Sequence, residues 1–357
     1  MSQLLQRPDK RATIQDIARL TGVSVATVSG AFSGKRRMSD QTRETVLTTA
    51  RELGFEPNPH AQRLRNGGCA NTIGLLSDLD LGVATLMQSA ICRRLSERGF
   101  QVDDHVLPLY IQELETRQTE VLRQVCRQNP QAILFSKIGL EPRALEVLEQ
   151  YVDGGGVLVC WTSSLSSVGH HQLIADQVLL NTEQESYLQA RHLIELGHKN
   201  IGFLAHGGVD LMNSRFLGFK RALKEADLLL REEWAWGESG YEDAGIRHAE
   251  RFMALHERPT GVCIVNDNSA AAFVHAVMRV GLQVPRDVSV IGCDDTAAAR
   301  AAFVPLTTMR RPIAELSHTV VEILCNRLDG SLQGPPVMRE VNSELIVRSS
   351  TATPRFN

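Results

Sequence analysis

Short aliphatic runs alternate with amphipathic helical segments along residues 71–357. The strand-like runs are TIGLLSDL, QVDDHVL, AILFSK, GVLVCW, NIGFLAH, GVCIVND and VSVIGCDD, and segments such as SYLQARHLIELGH and RFLGFKRALKEA between them have a helical period. This alternation predicts an α/β fold in which a parallel sheet is covered by helices on both faces. The number of units favours two doubly wound lobes, with any ligand bound beyond the carboxyl ends of the strands.

The first part of the chain has a purely helical pattern. Thr13 can cap a first helix, and Asp16 favours the exposed N–H groups of its first turn. The apolar stripe of this helix is predicted to be Ile14, Ile17, Ala18 and Leu20. Gly22 is expected to end the helix in the left-handed conformation, and Ser24 can cap a second helix two residues later. The segment therefore predicts a helix-turn-helix.

A third helix and a short fourth helix are predicted to follow. The third begins at Ser39 and ends at Gly54, and its buried face is predicted to be Val46, Leu47, Ala50 and Leu53. Asn58 can cap a short helix whose first residue is Pro59. One or two helical turns are not stable alone, so we expect a second subunit or DNA to order this segment.

The charge distribution separates the helical segment from the rest of the chain. The net charge is -3, but residues 1–70 hold 11 Lys and Arg against 6 Asp and Glu, so a basic head precedes an acidic body. A basic end suggests contact with nucleic acid, although such a bias is also common on a solvated face. No apolar run has the length of a membrane helix and the N-terminus has no secretory pattern, so we expect a cytoplasmic protein.

The cysteine and histidine residues form no recognisable metal or disulfide pattern. The seven cysteines are never spaced as CxxC, and the eleven histidines form no HExxH motif. Reduced thiols that are buried as small hydrophobic groups are the simplest interpretation. We therefore expect neither a metal ion nor a cofactor.

Two segments of the head resemble a known family. TIQDIARLTGVSVATVS and RMSDQTRETVLTTARELGFEPNPHAQRLR closely resemble the head and hinge of the lactose/galactose repressor (LacI/GalR) family of bacterial transcription regulators. The resemblance implies a DNA-binding helix-turn-helix in residues 1–56, a hinge helix and linker in 57–70, and a core for effector binding and dimerisation in 71–357. It also implies that the second helix enters the major groove and that paired hinge helices enter the minor groove of an inverted-repeat operator.

The resemblance assigns DNA contacts by position. It implies phosphate or groove-edge contacts at Thr13, Ser24, Thr27 and Ser29, base-reading positions at Val25, Ala26 and Gly30, further contacts at Ser33 and Arg37, and hinge contacts at Asn58, Ala61, Gln62 and Leu64. Among the hinge residues, Leu64 is the expected wedge between base pairs.

Gly30 departs from the family pattern, because many members carry an arginine or another long side chain there. A bidentate arginine–guanine contact discriminates by about 1 to 3 kcal/mol, and glycine offers nothing comparable. Our hypothesis is that Val25 and Ala26 contact thymine methyl groups and that the Leu64 wedge adds readout of DNA deformability. The alternative is a reading helix whose specificity is degraded.

The body also resembles this family. YLQARHLIELGHKNIGFL, RFLGFKRAL and VPRDVSVIGCDDTAAARAAFVPLTTMRRP are similar to its core, which is built like a periplasmic sugar-binding protein. The resemblance implies a first lobe near residues 71–176 and 309–338, and a second near 177–308 and 339–357. The three crossings are then expected near residues 176, 308 and 338, with PPVMREVNSELIVRSS returning one strand to the second lobe.

The resemblance also implies an effector site. By position, Arg215, Asn266 and Asp294 match effector contacts, and Asn181 stands where many members have an aspartate. Trp161 follows a predicted strand and could offer its ring to a sugar or pack in the core. Since a guanidinium donates and a carboxylate accepts hydrogen bonds, the expected effector is hydroxyl-rich, a sugar or sugar derivative ahead of purines and phosphorylated metabolites.

The expected pocket lacks one feature of the family. Many members have an Asn-Pro-aromatic-aromatic segment after the first strand, whereas this chain has DLDLGVAT. An aromatic wall is therefore missing from the pattern. An effector of unusual size or charge, and a core without ligand control, are both compatible with this departure.

Other function classes have less support in the sequence. No Walker loop, nucleophile elbow or GxGxxG in strand-to-helix context is present, so the Asp pairs at strand ends do not indicate an enzyme. A sugar-binding protein without a DNA role would share the body but would need no basic head. The expected assembly is a symmetric homodimer on a palindromic site. Induction and corepression are not distinguished by the sequence.

Overall fold

The computed structural model divides the chain into two compact units, residues 1–70 and residues 71–357. The residues that the structure describes are 14–33, 38–53, 71–77, 83–107, 114–136, 140–162, 174–206, 214–238 and 243–355. Each unit has a hydrophobic core of its own.

Three helices form the described part of the first unit: α1 Ile14–Thr21, α2 Val25–Ser33 and α3 Asp40–Glu52. Their buried side chains form one small core that consists of Ile17, Ala18, Val28, Ala31, Val46 and Ala50. Gly22 has φ +69°, so the turn between α1 and α2 uses the left-handed conformation that was predicted there. Ser39 caps α3 by accepting a hydrogen bond from the Thr42 N–H, also as predicted.

Leu20 does not belong to the buried stripe of α1, contrary to prediction. It is 52% exposed, whereas Ile17 and Ala18 are buried. At 3.6 residues per turn, Leu20 lies about 110° around the helix from the midpoint between Ile17 and Ala18. Thr21 lies near that midpoint instead, and its hydroxyl donates a hydrogen bond to the Ile17 carbonyl at 2.7 Å. The core-facing side of α1 is therefore narrower than the apolar pattern indicated.

The second unit contains two lobes, each built on a six-stranded sheet. The strands of the first lobe are β1 Thr72–Ser77, β2 Gln101–Val106, β3 Ala132–Ser136, β4 Val157–Thr162, β5 Asp176–Leu180 and β11 Met338–Val341. They are parallel and lie in the order β11-β5-β4-β3-β1-β2. Helices α4 Val83–Glu97 and α12 Ile313–Asp329 cover one face, and α5 Leu114–Arg127 and α6 Pro142–Asp153 cover the other.

The second lobe repeats this architecture. Its strands are β6 Ile201–His206, β7 Ala235–Glu238, β8 Gly261–Ile264, β9 Ser289–Asp294, β10 Thr307–Arg310 and β12 Glu344–Ile346, in the order β12-β10-β9-β8-β6-β7. Only β12 is antiparallel to its neighbour among these described strands. Helices α7 Thr182–Glu195 and α8 Ser214–Glu225 cover one face, and α9 Ala244–Ala254, α10 Asp267–Arg279 and α11 Ala297–Ala301 cover the other.

The two doubly wound sheets confirm the predicted α/β fold class, and all seven predicted strand segments form strands. Three further strands, β5, β7 and β10, were not predicted. The segment near the C-terminus was expected to give one strand to the second lobe. It gives β11 to the first lobe and β12 to the second.

The chain crosses between the lobes three times, each time a few residues later than predicted. β5 ends at Leu180, β10 at Arg310 and β11 at Val341, and each strand lies in the sheet of the lobe that the chain then leaves. The crossings therefore lie at residue 181, at residues 311–312 and at residues 342–343. The predicted positions of 176, 308 and 338 fall inside these strands, because a strand must reach its carboxyl end before the chain can leave the sheet.

Helices α7 and α8 pack in unusually close contact. A Cβ atom placed on Gly218 of α8 would lie 1.9 Å from the carbonyl oxygen of Glu183 in α7. Only glycine permits this approach. The contact holds the first turn of α7 beside the first turn of α8, where two side chains of the functional site begin.

Candidate functional site

The second helix of the head begins with a hydroxyl cap. The Thr27 N–H donates a hydrogen bond to the Ser24 hydroxyl at 3.1 Å, and the two side-chain oxygens are 2.8 Å apart. Val25 follows the cap and is 42% exposed. Because these residues occupy the first turn, they form a small surface of two hydroxyl groups and one aliphatic side chain. This surface has the chemistry to meet a phosphate and an apolar group of a nucleic acid.

Gly30 is buried within α2. Because glycine has no side chain, only backbone atoms are available for a base contact at this position. At 3.6 residues per turn, Gly30 lies about 160° around α2 from the core residue Val28. The base-reading role of this position stays a prediction. Val25 is an exposed apolar residue in the first turn of the same helix.

The other predicted DNA contacts are incompletely described. Ala26, Ser29 and Ser33 lie in α2, but their side chains are outside the described part of the structure. Thr13, Arg37, Asn58, Ala61, Gln62 and Leu64 lie entirely outside the described ranges. The DNA contacts at these positions stay predictions.

A buried ion cluster lies at the crossings between the two lobes. Arg311, in the second crossing, has its Nε atom 2.9 Å from Asp294 Oδ1 and 3.5 Å from Glu185 Oε1. Asp294 is the last residue of β9, and Glu185 lies in the first turn of α7. The cluster thus occupies the carboxyl end of the second sheet, where a doubly wound fold places its ligands.

Two further residues complete the surroundings of the Glu185 carboxylate. Ser343, in the third crossing, donates a hydrogen bond to Glu185 Oε1 at 2.6 Å. Arg215, in the first turn of α8, has Nη2 at 3.7 Å from Glu185 Oε2, and the Cys293 thiol lies 3.6 Å from the same oxygen. Glu185 is only 1% exposed. One carboxylate therefore joins α7, α8, β9 and two of the three crossings.

The charges in this ion cluster are balanced. Arg215 and Arg311 contribute two guanidinium groups, and Glu185 and Asp294 contribute two carboxylates. Burial opposes the positive charge of Arg311, but the Asp294 and Glu185 carboxylates outweigh it and raise its pKa. Burial also raises the pKa of the Cys293 thiol, and the nearby Glu185 charge adds to that effect. Cys293 is therefore a neutral thiol at physiological pH.

Asp295 forms a separate ion cluster beside the first. Its carboxylate accepts a hydrogen bond from Arg310 Nε at 2.7 Å and a short one from Arg348. Burial acts to raise the pKa of Asp295, but the hydrogen bonds from Arg348 and Arg310 together lower it. Asp294 and Asp295 both have positive φ values, 115° and 53°, so the chain turns sharply after β9 and directs the two carboxylates to different partners.

Asp267 is a further buried carboxyl group near this edge. It accepts hydrogen bonds from the Thr308 hydroxyl at 2.6 Å and from the Thr296 N–H at 2.7 Å. Burial is the largest influence and raises the pKa of Asp267 to about 7, against the lowering effect of these hydrogen bonds. The group joins the start of α10 to β10 and to the loop after β9.

The predicted effector residues have different surroundings. Arg215 and Asp294 belong to one ion cluster, where Glu185 and Arg311 connect them. Asn181 caps α7, and its amide donates a hydrogen bond to Glu340 Oε1 at 2.8 Å.

Asn266 and Trp161 have structural roles in the described residues. Asn266 caps α10 by accepting a hydrogen bond from the Ser269 N–H at 2.8 Å. Trp161 is buried in the hydrophobic core of the first lobe, which agrees with the core-packing alternative. The reason is its place inside β4, where alternate side chains point into the covering helix layer.

The sequence reasoning missed Glu185, Arg311, Ser343 and Cys293. Glu185 shares one face of α7 with Ser186, Gln189 and Leu193, which are buried. A charged residue on such a face needs a partner of opposite charge. That signal was available in the sequence, but the identity of the partner depends on contacts between distant parts of the chain.

Comparison with known proteins agrees with this two-unit structure. Residues 13–58 match the family described as bacterial regulatory proteins of the lacI family, and residues 190–351 match the periplasmic binding protein-like domain. The HTH-type transcriptional repressor PurR of Vibrio vulnificus is 29% identical over 341 residues, which cover 95% of this chain and 98% of that relative. The chain belongs to the LacI/GalR family of bacterial transcription regulators.

Solved structures of this family share the fold. A complex of the transcriptional regulator CelR with cellobiose has a TM-score of 0.68 and 23% identity, over 95% of this chain and 100% of that chain. The lac repressor dimer bound to operator and the anti-inducer ONPF has a TM-score of 0.67 and 23% identity, over 96% and 100%. A LacI-family regulator from Enterococcus faecium with bound ribose has a TM-score of 0.67 and 20% identity, over 79% and 99%.

The described residues also bear on metal binding and membrane insertion. Among the described residues, no three His, Cys, Asp or Glu side chains are grouped in a way that could hold a metal ion. The helices of the same residues include none that combines the length and apolar character needed to cross a membrane. The buried ion cluster of Glu185, Arg311, Asp294 and Arg215 lies at the carboxyl end of the second sheet, and this position makes it the candidate effector site.

Proposed function

We propose that this protein is a dimeric repressor that binds an inverted-repeat operator and responds to an uncharged sugar or sugar derivative between its two lobes. The observation that carries the effector part is the ion cluster in which Arg215 and Asp294 are linked through Glu185 and Arg311. The DNA-binding part rests on the helix-turn-helix head and on membership of the LacI/GalR family. No catalytic step is part of the proposal.

The head supports readout through a small surface. The Ser24 and Thr27 hydroxyl groups can donate to phosphate oxygens, which fixes the position of α2 on the duplex without reading sequence. Val25 is exposed next to them and can contact a thymine methyl group in the major groove. Because Gly30 has no side chain, we infer that direct readout relies on small apolar contacts and that DNA deformability supplies more of the specificity than in relatives with a long side chain there.

The charge balance of the cluster favours an uncharged effector. Two guanidinium groups face two carboxylates, so no net charge is left to compensate a phosphate or carboxylate on a ligand. Hydroxyl groups suit such a site, because each can accept from a guanidinium and donate to a carboxylate. The structures of relatives with bound cellobiose and bound ribose are consistent with this ligand class.

The crossings connect ligand binding to the arrangement of the two lobes. The Asn181 amide joins the first crossing to Glu340 of β11, and Ser343 of the third crossing bonds to Glu185. A ligand that competes for Arg215 or Asp294 therefore disturbs contacts that hold the crossings together. The DNA affinity can change only by the preference of the ligand for one lobe arrangement, which is typically about 1 to 3 kcal/mol in allosteric proteins.

The effector part is tested with one substitution and a matched control. An operator selected from genomic fragments is titrated with wild-type protein, Arg215→Ala and Arg221→Ala, each with and without a panel of sugars. Arg221 lies in the same helix but pairs with Glu183 outside the ion cluster. We expect Arg215→Ala to keep operator binding and lose the sugar response, and Arg221→Ala to keep both. A full sugar response in Arg215→Ala would remove Arg215 from the effector site.

Two alternatives are distinguished by the same titrations. A sugar-binding protein without a regulatory role would bind a sugar but select no operator. A regulator without ligand control would bind its operator identically in the presence of every sugar. Neither result is compatible with the proposed function.

A further inference from the structure

The groups around the Glu185 carboxylate are of the kind that bind a free anion in a protein. Its Oε1 atom accepts a hydrogen bond from Ser343 at 2.6 Å and lies 3.5 Å from Arg311 Nε. Its Oε2 atom lies 3.7 Å from Arg215 Nη2 and 3.6 Å from the Cys293 sulfur. Two cationic groups and two neutral donors thus converge on one carboxylate, and they come from four different segments of the chain.

The side chain that supplies this carboxylate is itself anchored. Glu185 lies in the first turn of α7, its N–H donates to the Asn181 carbonyl at 3.1 Å, and the residue is almost completely buried. The Gly218 contact holds this turn against α8, which carries Arg215. The carboxylate is therefore fixed in place by the packing of two helices.

We propose that Glu185 is a built-in carboxylate ligand of the effector cleft. It takes the position between Arg215, Arg311 and Ser343 that a small carboxylate would otherwise occupy. It thereby excludes anionic effectors and holds the crossings together without a small molecule. This inference names a specificity-determining residue and rests on the proposed function only in treating this cluster as the effector site.

Removal of the Glu185 carboxylate should leave a binding site for acetate. Glu185→Ala removes the γ-carbon and the carboxylate, which together have the size and charge of acetate. It leaves Arg215 and Arg311 with the single Asp294 carboxylate, so the buried cluster gains a net positive charge. Added acetate should fill the vacant position, pair with both guanidinium groups and accept the Ser343 hydrogen bond. Binding of acetate to the folded protein then raises its thermal stability in a saturable way.

The test measures melting temperature with increasing sodium acetate against sodium chloride at equal ionic strength. Wild type, Glu185→Ala, Glu183→Ala and the double variant Glu185→Ala/Arg311→Gln are compared. Glu183→Ala is the matched control, because Glu183 lies in the same helix as Glu185. Its carboxylate is partly exposed and pairs with Arg221, outside the ion cluster. The double variant removes one of the two guanidinium groups that would bind acetate.

We expect Glu185→Ala to melt at a lower temperature than wild type and to recover at least half of the difference in acetate but not in chloride. Wild type, Glu183→Ala and the double variant should respond equally little to both salts. If Glu185→Ala does not fold in chloride, the yield of folded protein after refolding in acetate replaces the melting temperature. An absent acetate response in Glu185→Ala by both measures, or an equal response in wild type, would overturn the proposal.

Operator binding separates this inference from the proposed function. With an operator in hand, Glu185→Ala should bind it less tightly in chloride than in acetate, and wild type should bind it equally in both. A wild-type protein that selects no operator would refute the proposed function and leave the acetate result unchanged. An operator bound by wild type, together with no acetate effect on Glu185→Ala, would refute only the built-in ligand.

Discussion

The Arg311 Nε atom lies 2.9 Å from the Asp294 Oδ1 atom, and both side chains are buried. This ion pair joins the second crossing to the carboxyl end of β9. A buried pair of this kind is weak evidence of net stabilisation, but the loss of one partner leaves an uncompensated charge in the interior. The pair is therefore the most sensitive point at which to test the described arrangement of the crossings.

Arg311→Met should strongly destabilise the core. The substitution keeps much of the side-chain volume but leaves Glu185 and Asp294 with Arg215 as their one remaining cation within the ion cluster. We expect the free energy of unfolding in urea to fall by about 3 to 5 kcal/mol. Arg300→Met is the control, because Arg300 is exposed and its Nη1 atom lies 3.6 Å from the Asp295 Oδ1 atom, outside the ion cluster. Its effect should stay within about 1 kcal/mol, and equal effects of the two variants would contradict the described ion cluster.

Most of the fold was predictable, because strands such as β3 and β8 are continuous apolar runs that only a buried position explains. The errors have local causes. Leu20 was assigned to the core from its residue type, although it lies about 110° around the helix from the midpoint between Ile17 and Ala18. β5 and β10 carry polar residues, such as Asp176 and Thr308, that find partners in other elements. A pattern of apolar residues cannot contain that information.

The candidate site was only partly predictable. The family resemblance supplied Arg215 and Asp294, and the structure connects them through two residues that lie far apart in sequence. Nothing in the local sequence of Glu185 indicates that it contacts Arg311. That contact exists only after the first and second crossings are formed. Trp161 had two possible roles in the sequence, and the helix layer over β4 decides between them.

Stability should depend on pH through Asp267. Its pKa is about 7 in the folded protein against an ordinary value of 3.8, so the folded state favours the neutral carboxyl group. The unfolded chain ionises first as pH rises, and the contribution of Asp267 to unfolding free energy therefore declines between about pH 4 and pH 7, by roughly 4 kcal/mol in total.

The measurement is the difference in unfolding free energy between wild type and Asp267→Asn across that pH range. Asparagine cannot titrate, and its amide can still contact Thr296 and Thr308. We expect wild type to lose stability relative to Asp267→Asn as pH rises from 4 to 7. A constant difference would show that Asp267 does not change its charge in this interval.

Gly218→Ala should disrupt the packing of α7 on α8. The added Cβ atom would lie 1.9 Å from the Glu183 carbonyl oxygen, so the helices must separate. We expect a loss of about 3 kcal/mol in unfolding free energy, the upper part of the range for overpacked sites. Leu217→Ala, at a neighbouring and partly exposed position of α8, should cost less than about 1 kcal/mol. A Gly218→Ala protein as stable as wild type would contradict the close contact.

Val25 should read a thymine methyl group. Replacing each thymine of the operator in turn with uracil removes one methyl group and no hydrogen-bonding atom. We expect one such position per half-site at which wild type binds more weakly to uracil by about 1 kcal/mol, while Val25→Ala does not distinguish the two bases. Equal discrimination by wild type and Val25→Ala at every position would assign the methyl contact to another residue.

The most direct test of the account is a selection of genomic DNA at near-physiological salt, with and without a pooled mixture of sugars. Purified protein is mixed with fragments of the genome that encodes it, and the retained fragments are sequenced. The protein should enrich one inverted repeat in one of the two conditions, and the retention of this repeat should change clearly when sugars are added. Equal retention of all fragments in both conditions would contradict a sequence-specific, sugar-controlled repressor.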